Sequence, residues 1–110
     1  MDSPVRKSKD ETMYEKLGFP KVPAFDMGDG MKEKAIKVLE EASELVEAAK
    51  DYAEDIASFG KYDHLLEEAA DVNQALMNLV YGLASNDMLE DHALRCFGRN
   101  FARGRFDRGE

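Results

Sequence analysis

The hydrophobic and polar positions of this chain recur at helical spacing over most of its length, and no segment alternates long enough to read as a strand. Between about Met31 and Ser58, Leu39, Ala42, Val46, Ala49 and Ala53 fall on one arc, with Val38, Leu45 and Ile56 alongside. At about 100° per residue this predicts a long amphipathic helix with that arc as its core stripe. Gly60 is its expected stop. A second long helix is predicted from about Tyr62 to Leu83, with Leu65, Val72, Ala75, Leu76, Leu79 and Leu83 along one side. Gly82 and the Ser85-Asn86-Asp87 turn should close it. A third helix should run from about Met88 to Phe97 or beyond.

Ahead of these, Lys9 to Leu17 reads as a short helix stopped by Gly18. The stretch FPKVPAF, 19–25, is expected to be extended, because Pro20 and Pro23 disfavour helix in the residues before them. It should lay Phe19, Val22 and Phe25 on the core. Asp26 or Asp29 is the expected cap of the first long helix. Residues 1–8 and 105–110 are expected to be loose. The fold class that follows is all-α: one domain over 1–110, built as an antiparallel helical bundle. Two such long apolar stripes are more than one chain of this size can cover, so a homodimer or homotetramer is expected.

Charge narrows the range of partners. The chain carries −8 overall, but five arginines (95, 99, 103, 105, 108) against Asp107 and Glu110 give +3 over residues 95–110, and so −11 over the first 94. An acidic body is a poor partner for nucleic acid, whose phosphates need clustered cations. The single cysteine, Cys96, leaves no internal disulfide and no cysteine-built zinc site, and it reads as a packed small hydrophobe beside Leu94 and Phe97. The longest run without charge, Val72 to Asn86, is too short to span a bilayer and contains Asn73, Gln74 and Asn78. The opening residues lack the apolar core of a secretory leader. A soluble cytoplasmic protein is the expectation.

The acids of the two long helices carry the candidate chemistry. On the first, Glu41 and Glu44 are neighbours at i, i+3, with Ala48 leaving space beside them. Glu40 is intermediate and Glu47 points outward. Glu acids on one helix are more often a solvated face, because Glu is a good helix former. The second helix argues otherwise. Glu68 falls inside the leucine stripe, with Asp71 at its edge. An ionised carboxylate there faces a desolvation cost of about several kcal/mol unless it is paired. Packed antiparallel, the two pairs face each other and repel unless a cation lies between them. The stretch 35–60 offers only Lys37 and Lys50. A hard divalent cation with oxygen ligands meets the need, and Mg²⁺ suits a substrate with phosphates; Mn²⁺ is the alternative.

Glu40-Glu41-Ala42-Ser43-Glu44, then 23 intervening residues, then Glu68-Ala69-Ala70-Asp71, resembles the EExxE…ExxD pattern of the MazG-like all-α nucleoside triphosphate pyrophosphatases. The resemblance covers roughly residues 30–105. The tail, Arg99-Asn100-Phe101-Ala102-Arg103-Gly104-Arg105, is similar to the RNxxRGR-like end of many small members. The resemblance implies a helical bundle completed by oligomerisation, Mg²⁺ as cofactor, and cleavage of a nucleotide between its α- and β-phosphates to a monophosphate and pyrophosphate. It implies Glu41, Glu44, Glu68 and Asp71 as metal ligands, and Glu40 as an acid that binds or activates water. Asn100 and its neighbouring arginines match positions that meet base, sugar or phosphates. Arg99 and Arg103 are the candidates for gripping the outer phosphates, with Lys37, one turn before Glu41, able to do the same.

Two other readings stand beside this one. KVLEEASELVEAAKD with LLEEAADVNQAL is also similar to phosphoribosyl-ATP pyrophosphatase of histidine biosynthesis, which shares fold and chemistry, but that family reaches its motif with a shorter leader and lacks the arginine tail. A non-catalytic helical interaction module is the reading from another class. The arginines also suit a helix C-terminus on dipole grounds alone. His64 and His92 read as exposed helix positions. Tyr14, Phe19 and Phe25 are aromatic enough to stack on a base, but beside a proline-rich turn they read first as anchors.

Overall fold

A computed structural model of the chain describes residues 20–25 and 28–106. Among them it contains three helices and no strand: α1, Met31–Ala53; α2, Phe59–Val80; and α3, Asn86–Ala102. The all-α expectation holds. The helix expected over 9–17, and Phe19 and Asp26, lie outside the described residues.

The boundaries differ from the sequence expectation in instructive ways. Gly30, not an aspartate, holds the N-cap position of α1, and no side chain caps it. Its carbonyl accepts from Lys34 N at 3.0 Å, and Glu33 supplies the negative charge that the first turn favours. α1 stops at Ala53, five residues early. The chain reverses over 54–58, where Asp55 N donates to Tyr52 O and Ser58 N to Asp55 O, each at 3.0 Å. Gly60 does not end a helix but lies inside α2. Ser58 overrides it, because its Oγ accepts from Lys61 N at 3.1 Å and so starts the second helix. Past the end of α2, Gly82 takes a φ of 85°, a conformation that favours glycine. Ser85 caps α3 in the same way as Ser58, accepting from Met88 N at 3.2 Å.

The reversal sets α1 and α2 antiparallel. Tyr52 and Tyr62 meet beside the turn with ring centroids 5.8 Å apart. The helices touch through small residues: Ala48 is 2% exposed and Ala75 6%. Small side chains let two backbones approach closely, and this places whatever flanks them in the seam.

The seam on α1 is not where periodicity placed it. The face turned to α2 runs through Val38, Glu41, Leu45, Ala48 and Tyr52, all buried or half-buried. The expected stripe is centred about 100° further round the helix. Leu39 and Val46, on its far side, are 66% and 53% exposed, and Ile56 is also exposed, while Ala42 and Ala49 are half-buried. α1 therefore has two apolar faces, and α2 covers only one. Leu66, Leu76, Tyr81 and Leu83 are likewise exposed on and beyond α2, and Leu94 on α3. Among the described residues α3 packs against neither α1 nor α2. Its local order comes from Phe97, which meets Phe106 at 4.7 Å and Phe101 at 6.1 Å between ring centroids. Cys96 is exposed rather than packed, and its Sγ accepts from Asn100 Nδ2 at 3.6 Å.

The extended segment 20–25 lies along α2, held by amides rather than by apolar anchoring. Asn73 Nδ2 donates to Pro20 O at 3.2 Å, Gln74 Nε2 to Pro23 O at 3.0 Å, and Phe25 N to Asn78 Oδ1 at 2.9 Å. Phe25 is not a core anchor, as it is 49% exposed.

Candidate functional site: an acidic seam between two clefts

Three of the four expected metal ligands converge. Glu41 and Glu44 from α1 and Glu68 from α2 each bring a carboxylate oxygen within 4.8 Å of the others. The cause is the register just described. Glu41 sits seven residues before Ala48, two turns along the same face, so it occupies the seam itself and is only 9% exposed. Glu44 stands at the seam's edge, and Glu68 enters from the opposite helix, as its place among the leucines predicts.

The carboxylates are unequally satisfied. Lys37 Nζ lies 3.0 Å from Glu41 Oε2 and 3.9 Å from Glu40. The hydrogen bond and charge of Glu41 push the Lys37 ammonium above its ordinary pKa. His64, one turn before Glu68, has Nε2 3.6 Å from Glu68 Oε2. The other oxygen, Glu68 Oε1, is buried with no hydrogen-bond partner, alone in this among the described side-chain oxygens and nitrogens. Burial first, then the charge of Glu44, push the Glu68 carboxyl above the usual carboxylate range. His64 draws it back, while Asp71 and Glu41 add to the rise.

Asp71 is one turn on from Glu68. It is exposed and outside the close trio, and it shares one cleft lining with Glu41. Two clefts flank the acidic seam. The larger, about 720 Å³, is lined by Lys37, Glu40, Glu41 and Asp71, by Phe25, Ile36, Gln74 and Asn78, and by the charged Asp29, Glu33 and Lys34. The smaller, about 410 Å³, is lined by Glu44, Glu68 and His64 among others. The seam thus offers carboxylates to both sides, and four of the named candidates, Lys37, Glu40, Glu41 and Asp71, line the larger cleft.

The remaining candidates stand apart. Arg99, Asn100 and Arg103 are on α3 or its C-cap, and none lines either cleft. A single chain does not bring them to the acids.

Sequence reasoning passed over two groups that the structure puts at the site. His64 read as an ordinary exposed residue, although its i, i+4 spacing to Glu68 was visible. Asn73, Gln74 and Asn78 served only to argue against a membrane span, yet they hold segment 20–25 beside the larger cleft. Among the described residues no helix is long and apolar enough to cross a membrane.

The donor set suits a hard divalent cation. It is all carboxylate oxygen, and the orphaned Glu68 Oε1 is the kind of buried acceptor that such an ion satisfies. Comparison with known proteins adds nothing to this geometry: no protein-family model, curated protein or solved structure matches the chain.

Proposed function

We propose that this protein is a Mg²⁺-dependent nucleotide pyrophosphohydrolase of the MazG-like kind, which cleaves a nucleoside triphosphate between its α- and β-phosphates. The observation that carries the reading is Glu68 Oε1, buried and partnerless, within a trio of carboxylates from two helices. An acid placed there only for solubility would face water. An acid placed there only for packing would find a donor. A cation ligand does neither until its ion is bound.

Glu41, Glu44 and Glu68 would hold the metal, with Asp71 completing the set from the edge of the larger cleft. Bound there, Mg²⁺ offsets phosphate charge and makes a coordinated water more acidic. The chain's own groups do the rest. Glu40, exposed at the cleft wall, accepts a proton from the attacking water. Lys37 exchanges its bond to Glu41 for a phosphate oxygen. Arg99, Asn100 and Arg103 are supplied by a second copy, because α3 leaves its own chain's clefts unlined while apolar faces on α1 and α2 stand uncovered.

The test is pyrophosphate release with Mg²⁺ across a panel of nucleotides, with phosphoribosyl-ATP included to separate the histidine-pathway activity. Asp71→Ala and Glu68→Ala should abolish turnover with helix content unchanged. Full activity in Asp71→Ala removes its assigned role. The exposed apolar faces also suit a non-catalytic interaction module. Calorimetry that finds no binding of Mg²⁺ or Mn²⁺, with or without nucleotide, would favour that reading.

A further inference from the structure

Resting on that reading, we infer that the far end of the larger cleft is a nucleobase subsite, walled by Phe25 and Ile36 and read by the free edges of Gln74 and Asn78.

The argument begins with the two amides. The side-chain oxygen and nitrogen of Asn or Gln are told apart by their hydrogen bonds. Here segment 20–25 fixes both. Phe25 N–H can only donate, so the Asn78 atom it meets at 2.9 Å is Oδ1. The Pro23 carbonyl can only accept, so the Gln74 atom it meets at 3.0 Å is Nε2. Gln74 Nε2 also donates to Asn78 Oδ1 at 3.1 Å, which locks the two together. Asn78 Oδ1 and Gln74 Nε2 are thereby consumed, and the atoms left over are Gln74 Oε1, an acceptor, and Asn78 Nδ2, a donor. Neither is a buried unsatisfied atom, so both keep access to solvent or ligand.

A donor and an acceptor one helical turn apart, with their orientation locked, form a readout edge. Both residues line the larger cleft. Every nucleobase carries an N–H and a lone pair side by side on its pairing edge, and the order of the two differs between 4-amino and 4-keto pyrimidines and between 6-amino and 6-keto purines. Phe25 and Ile36 offer apolar surface for the rest of the ring, among the charged Asp29, Glu33 and Lys34 that also line the cleft. Phe25 is half-exposed in its wall, held there by its own backbone bond to Asn78, and Ile36 is exposed from α1. An exposed aromatic is a stacking platform for a base. A volume of about 720 Å³ also exceeds what phosphates at the Lys37 end require and falls in the range of small-ligand sites. The cleft therefore runs from an anion end at Lys37 to a base end at Phe25, the order of parts in a nucleotide.

The test is calorimetric binding of AMP, GMP, CMP and UMP to the full chain, wild type and variants, without hydrolysis. Phe25→Ala should weaken all four by about tenfold. Asn78→Asp keeps the oxygen that holds Phe25 and replaces the free donor by an acceptor. It should move the preference between amino and keto bases by about tenfold or more, while circular dichroism stays unchanged. Base-dependent binding that shifts in this way supports the subsite even if no triphosphate is cleaved. Binding of equal strength for all four bases, unmoved by either variant, overturns it and leaves the pyrophosphohydrolase reading intact. Failure of all four to bind the wild type also overturns it, and pyrophosphate release then decides the parent reading by itself.

Discussion

Glu68 presents its two carboxylate oxygens to opposite conditions: Oε2 lies 3.6 Å from His64 Nε2, while Oε1 is buried and touches no donor. One turn of helix separates the two residues, and Glu68 is left half-satisfied in the seam. Its discomfort can be measured.

The Glu68 carboxyl is pushed up chiefly by burial and by Glu44. In the folded chain it therefore keeps its proton to higher pH than in the unfolded chain. Stability should fall as pH rises through that window and stay lowered above it. Glu68→Gln should raise Tm relative to wild type at neutral pH, and the advantage should disappear at acid pH, where both side chains are neutral. Thermal melts across pH check this. A variant less stable than wild type at pH 7 would show that Glu68 is already paired.

Divalent cation should reverse that order. Mg²⁺ or Mn²⁺ bound by the trio stabilises only the folded state, so Tm of the wild type should climb with metal concentration. Glu68→Gln and Glu44→Gln should show little or no climb, and chelator should remove it from the wild type. Equal shifts in all three proteins would place the ion elsewhere.

Lys37 is the cation that Glu41 holds in the absence of metal, at 3.0 Å. Lys37→Met should tighten Mg²⁺ binding in calorimetry, because no ammonium then competes for Glu41. The same variant should raise KM for a nucleotide, because a phosphate partner is lost. The Lys37 pKa is raised by this contact, so the contact's small contribution to stability is present below the ordinary lysine pKa and lost as pH rises through the raised one.

The second apolar face of α1 predicts association. Leu39→Glu or Val46→Glu should lower the molar mass measured by light scattering to that of one chain, about 12.4 kDa, without loss of helix. If the partner copy supplies Arg99 and Arg103, the same substitutions should also raise KM. A wild type that is already monomeric would refute the assembly.

Segment 20–25 should loosen in isolation. Asn78→Ala removes the acceptor of the Phe25 N–H, a bond worth about 1 kcal/mol net. Hydrogen exchange at Phe25 should speed up while protection across α1 and α2 is kept.

Much of this was legible from the residues. The 3.6-residue period was enough for three helices, and the sense of Glu68 as an acid among leucines survived unchanged, because α2 has one dominant stripe. α1 misled because it has two. Leu39 and Val46 carry more apolar bulk than the residues that close the seam, Ala48 and Glu41, yet they stay exposed. Periodicity ranks faces by hydrophobicity, whereas close packing against a neighbour ranks them by shape. The turn misled for a similar reason: Gly60 is a stop in general, but Ser58, two residues earlier, offers a start with a hydrogen bond attached.

By itself, then, the sequence determined the helices, their order and the two acid pairs, because these depend on local spacing along one strand of chain. The tertiary structure decided which face of α1 is the seam, that three carboxylates meet and leave Oε1 of Glu68 orphaned, and that Gln74 and Asn78 are locked by residues more than fifty positions away. Those relations depend on the distance between two helices and the angle at which they face, and no pattern within either helix contains them.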